Sequence, residues 1–75
     1  RSIKFKVMEF ATAGEAIQHT DAGGRGVAVS LGGRRLVIDQ TDADRLAAAG
    51  VEFAFLYDHQ LPDGSHRIVT VPVNG

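Results

Sequence analysis

Residues 57–68, YDHQLPDGSHRI, gather two of the chain's three histidines with two of its nine acids. Imidazoles and carboxylates at this density are the raw material of zinc ligation or of a histidine–carboxylate general base. A metal would need His59, His66 and a carboxylate to converge. A hydrolytic dyad of Asp58 with His59 would need both on one face beside a serine or cysteine nucleophile.

The turn between the histidines decides where they point. A four-residue loop pairs Gln60 with Ser65 and sets His59 opposite His66, within ligand distance. A three-residue loop of Pro62, Asp63 and Gly64 pairs Leu61 with Ser65, and the histidines then face opposite sides. The second register aligns Tyr57 with Val69, Phe55 with Val71 and Phe53 with Val73, an aromatic–aliphatic ladder of the kind that sheets favour. Pro-Asp-Gly also suits a type I turn closed by a glycine bulge. The three-residue register is therefore expected, with both histidines on the shoulders of a hairpin and no intramolecular zinc site. Adjacent strand residues face opposite ways, so Asp58 and His59 do not form a dyad, and no serine or cysteine is placed to use one. Without a cofactor fingerprint or a clustered carboxylate pair, the chain is not expected to be an enzyme and needs no cofactor.

The elements that position this stretch follow from local patterns. IKFKVMEF (3–10) alternates from Ile3 to Val7 and reads as a half-buried strand, with a bulge near residue 8 as one way to turn Phe10 inward. Thr12 with Glu15 fits a capping box, so a short helix begins at Ala13 and dissolves by Thr20. GVAVSL (26–31) and RRLVID (34–39) form a hairpin through Gly32-Gly33, with Leu31 opposite Arg34, Val29 opposite Leu36 and Val27 opposite Ile38. Thr41 is the expected N-cap of a second helix, and Gly50 is its C′ residue. Leu46 and Val51 then make the apolar contact of a Schellman ending. VEFAFLYD (51–58) and HRIVTVPV (66–73) are the last strands, and Pro72 marks an edge or a terminus.

The order is β-α-β-β-α-β-β: one α+β domain over residues 1–75, with a mostly antiparallel sheet of about five strands and two short helices. Its first six elements follow the ferredoxin-like order, with one strand added. Fold order carries no function by itself.

Composition narrows the classes. A hydrophobic fraction of 44% with 23% charged residues is that of a globular chain, not a disordered one. The absence of cysteine excludes disulfides and thiolate zinc sites and fits the cytoplasm. No apolar run approaches the ~18 residues of a membrane span, so no membrane partner is expected. The net charge of −1 is unevenly spread. Residues 1–38 hold six cations against three acids, and residues 39–75 hold two against six.

Two binding readings follow. The first is a protein-interaction or self-associating module. Once Phe53, Phe55, Val27, Val29, Leu36 and Ile38 fill a core, the opposite sheet face still receives Ala28, Val37, Leu56 and Ile68, with Met8 and Phe10 beside them. A patch of that kind is either covered by the helices or left for a partner or a second copy. The second is a nucleic-acid-binding accessory domain whose Lys4, Lys6, Arg25, Arg34 and Arg35 gather into a phosphate-binding patch. No aromatic residues interleave with those cations as base-stacking platforms require. GGRG (23–26) runs into a strand instead of opening a helix, so it is read as a connector and not as a phosphate loop.

Overall fold

A computed structural model describes residues 7–21, 23 and 26–75 of the chain. Its elements run β1 (Met8–Phe10), α1 (Ala13–Asp21), β2 (Val27–Leu31), β3 (Arg34–Ile38), α2 (Gln40–Ala48), β4 (Phe53–Gln60) and β5 (His66–Val73). All five strands belong to one sheet in the order β1-β3-β2-β4-β5, and every neighbouring pair is antiparallel. Residues 3–6 of the expected first strand lie outside the described residues. Within β1 the ladder is unbroken, Met8 to Val37, Glu9 to Leu36 and Phe10 to Arg35, so no bulge reorients Phe10.

Local chemistry accounts for the helix ends. Thr12 Oγ1 accepts the Glu15 backbone N–H and donates to the Glu15 carboxylate, each at 3.2 Å, and α1 follows as the capping pattern predicts. It persists one residue beyond Thr20, whose hydroxyl donates to the Ile17 carbonyl at 2.7 Å within the last turn. α2 starts earlier than its threonine signal, at Gln40, with extended Asp39 as N-cap and no side-chain capping bond. It ends as expected: Gly50 N–H donates to the Ala47 carbonyl at 3.2 Å and Val51 N–H to the Leu46 carbonyl at 3.1 Å, the two bonds of a Schellman motif.

The two crossovers explain the layers. β1 and β2 are parallel with β3 between them, and β3 and β4 are parallel with β2 between them. Both connections step the same way across the sheet, yet their strands run in opposite directions. A shared crossover hand then places the two helices on opposite faces. α1 accordingly packs Ala16 and Ile17 on Ala28, Val37 and Leu56. α2 packs Ala43 and Leu46 on Val29, Leu36, Ile38 and Phe53. The ferredoxin-like arrangement expected from the element order is not formed, because β4 joins beside β2 instead of beside β1. The sheet is covered from both sides, and no helix among the described residues is long and apolar enough to cross a membrane.

Candidate interaction surface on the last hairpin

The β4–β5 hairpin is built by its tip. Gly64 N–H donates to the Leu61 carbonyl at 3.0 Å, and Leu61 N–H donates to the Ser65 carbonyl at 2.8 Å. With Gly64 at φ +89°, this is a type I turn closed by a glycine bulge. The Asp63 carboxylate accepts from the Ser65 hydroxyl at 2.6 Å and from its backbone N–H at 2.9 Å. Those two donors, the hydroxyl foremost, hold the Asp63 carboxyl below the ordinary aspartate pKa.

The register is the three-residue one, with Tyr57 opposite Val69, Phe55 opposite Val71, Phe53 opposite Val73 and His59 opposite Arg67. His59 and His66 therefore point to opposite faces. Among the described residues no three His, Asp or Glu side chains are grouped to hold a metal ion.

The same register makes a contact that sequence reasoning missed. Asp58 stands opposite Ile68, which makes His66 its diagonal neighbour, and His66 Nδ1 lies 2.9 Å from Asp58 Oδ2. The diagonal rule for antiparallel strands was the available signal. The pair sits at one side of an open groove of about 360 Å³ between α1 and the hairpin, which Ile17 and Asp21 also line. A carboxylate-oriented imidazole becomes catalytic only beside a group whose proton it can take. The Thr20 hydroxyl donates to the Ile17 carbonyl and the Ser65 hydroxyl to Asp63.

The anticipated apolar face is divided by α1. Ala28, Val37 and Leu56 are buried beneath it, so they belong to the chain's own core and offer no partner surface. Phe10 is half-buried against the same cluster, its ring centroid 5.5 Å from that of His19. Met8 and Ile68 remain exposed on this face, beyond the helix.

The larger exposed apolar strip lies on the other face, where sequence reasoning expected core. Tyr57 is 53% exposed, Val71 44% and Val69 37%. Length explains this. α2 has nine residues, about 14 Å of helix, whereas the eight-residue strands β4 and β5 extend about 27 Å. The helix covers Phe53 and reaches Phe55 and Val73, leaving the distal half of the ladder bare. Among the described residues the outer edge of β5 is also open, since this strand stands last in the sheet and pairs there only with β4.

The basic residues do not assemble in the described part. Arg34 and Arg35 are consecutive in β3 and point to opposite faces, and Arg35 donates to the Gly33 carbonyl at 2.6 Å. Lys4, Lys6 and Arg25 lie outside the described residues.

Comparison with protein-family models, with curated proteins and with solved structures finds no match in any of the three.

Proposed function

We propose that the chain is a non-catalytic protein-interaction module that takes up an extended strand of its own kind or of another protein along the outer edge of β5. The observation that carries this reading is the combination of an eight-residue edge strand with an exposed apolar row on its flank, Tyr57, Val69 and Val71. An unpaired strand edge offers a row of backbone donors and acceptors, which is how sheets recruit peptides, and alternate side chains then supply selectivity. Natural edges are usually blunted by lysines, bulges or proline. Here Arg67 and Pro72 stand near the two ends of β5 and leave Ile68–Val71 between them unguarded.

The test is a displayed library of ten-residue random peptides selected on the immobilised chain. Selected peptides are then titrated against the labelled chain. The reading expects sequences that alternate apolar and polar residues, with amide shifts concentrated on residues 66–72 and resistant to salt. Shifts that map to β3 and disappear with salt would replace it with the nucleic-acid or polyanion reading. An unproductive selection would remove the peptide-binding reading altogether.

A further inference from the structure

We infer that β5 pairs with β5 of a second copy of the chain, antiparallel, about a two-fold axis passing between the two Val69 residues. The pairing rests on the edge-strand reading above and adds the partner and the register to it.

Backbone direction is the first constraint. The Leu61–Ser65 bond at the hairpin tip fixes the alternation along the ladder. His59·Arg67, Tyr57·Val69, Phe55·Val71 and Phe53·Val73 then fall at the bonded positions within the hairpin, and His66, Ile68, Thr70 and Pro72 turn their backbone groups outward. Pro72 fits this phase, since the donor it lacks is one that β4 does not require. The free edge thus presents N–H and C=O groups from His66, Ile68 and Thr70, and a carbonyl alone from Pro72.

Only registers that join outward-facing residues are allowed between two copies. An axis through Thr70 sets Ile68 against Pro72 of the second copy and loses a donor in both central flanking pairs. An axis through Ile68 uses only residues 66–70 before the strand of one copy meets the turn of the other. An axis through Val69 pairs Ile68 with Thr70 twice and lets each His66 N–H reach a Pro72 carbonyl. This engages seven residues of each strand and confines the missing donor to the ends.

Side chains select the same register. The two-fold preserves the faces of the sheet, so the exposed row on each copy continues into the other as Tyr57, Val69, Val69 and Tyr57. Val71 lies against the aliphatic stem of the second copy's Arg67. The two Arg67 guanidinium groups fall on opposite sides of the axis, four residues apart along the strand direction or about 14 Å, whereas an axis nearer the turn would bring them together. A parallel pairing of the same two edges would turn the second copy over, so that its exposed row would lie on the opposite face and would not continue across the junction.

The contact is narrow. Seven residues give a strip about 24 Å long and one sheet thick, about 10 Å, or on the order of 500 Å² for both copies together. This lies below the range of permanent interfaces, so the dimer is reversible and sensitive to concentration.

Sedimentation velocity of the whole chain from about 10 µM to about 1 mM, covering the affinity range of small interfaces, tests the inference. A mixed labelled and unlabelled sample adds isotope-filtered NOEs. A monomer–dimer shift is expected within that range, with intermolecular NOEs from Val69 to Val69 and from Ile68 to Thr70. Thr70→Pro removes an outward donor without touching a bond to β4. Val69→Arg sets two cations face to face at the axis. Each is expected to weaken the dimer by roughly tenfold or more, while far-ultraviolet circular dichroism shows that the fold is kept. A chain that stays monomeric at every concentration overturns the inference, as does a dimer indifferent to both substitutions. If the chain is monomeric but selected peptides still shift residues 66–72, the second copy is the wrong partner and the interaction reading stands. If neither binds, both fall.

Discussion

Asn74 reaches across the end of the sheet to Ala47, its side-chain amide donating to the Ala47 carbonyl at 2.9 Å and also lying 3.2 Å from the Val51 carbonyl. Asn74 thereby ties the base of the hairpin to the last turn of α2 and to the residue that follows its Gly50 ending, while among the described residues the far end of the hairpin has no such tie. Asn74 also has φ +59°, a left-handed conformation that asparagine tolerates better than most side chains. Replacement by Ala loses both bonds and adds backbone strain, for about 1–2 kcal/mol of destabilisation. Asn74→Gly loses the bonds without the strain and is expected to cost less. Urea midpoints for the two variants separate the contributions, and equal midpoints would mean that the left-handed backbone is not retained.

Among the described glycines, Gly26 is the one whose position leaves no room for a side chain. A Cβ there would lie 2.5 Å from the Ile38 carbonyl oxygen, and the backbone sits at φ +108°. At Gly32 and Gly33 a Cβ would meet nothing within 4 Å, so strain acts there without a clash. Gly26→Ala is expected to destabilise by about 3 kcal/mol or more, since the backbone must shift at the start of β2. Gly33→Ala is expected to cost about 1 kcal/mol. Thermal unfolding of both variants checks the ranking.

Much of this architecture was written in short stretches. Gly32-Gly33 and Pro62-Asp63-Gly64 fixed two hairpin registers because a turn and its flanking pairs are local. Thr12, Glu15 and Gly50 marked helix ends by the backbone groups they satisfy or the conformation they permit. The placement of β4 beside β2 had no local signal, since it depends on which long-range edge a strand joins. That choice put the helices on opposite faces and reversed the candidate surface. Ala28, Val37 and Leu56 went beneath α1, while Tyr57, Val69 and Val71 emerged beyond the reach of α2. The Asp58–His66 pair was legible once the register was known, but only through the diagonal between strands and not through the adjacent Asp58 and His59.

That exposed pair should contribute little to stability. Asp58 and His66 side chains are 30% and 57% accessible, so water screens their attraction in either protonation state of the imidazole. A double-mutant cycle with Asp58→Ala and His66→Ala is expected to give a coupling below about 1 kcal/mol. Added zinc is expected to leave the His59 and His66 imidazole resonances in place, because the two rings project from opposite faces of the hairpin. Tight zinc binding that moves both resonances together would require another register at the tip.

The turn carries a pH dependence of its own. The Asp63 carboxyl is held below the ordinary aspartate pKa by the Ser65 hydroxyl and backbone N–H. A carboxyl lowered on folding stabilises the folded turn above its unfolded pKa, and that contribution is lost as pH falls through the folded value. The Ser65 amide resonance is therefore expected to hold steady through the normal aspartate range on acidification and to move only below it. Asp63→Asn removes that late transition. A Ser65 shift that tracks the unperturbed aspartate range would show that the two bonds do not hold the carboxylate in solution.

The reversal of the two sheet faces predicts opposite costs for substitutions that look alike in the sequence. Leu56 is 6% exposed beneath Ala16 and Ile17, so Leu56→Ala opens a cavity and is expected to destabilise by about 2–4 kcal/mol. Val71 is 44% exposed on the other face, and Val71→Thr keeps a β-branched shape at a position where the hydroxyl meets water. Its expected cost is below about 0.5 kcal/mol. Chemical denaturation of the two variants at low concentration, where the chain is monomeric, measures both. A large loss at Val71 with little at Leu56 would mean that the apolar patch lies on the α1 side after all, and that the hairpin's outer row is packed within the monomer.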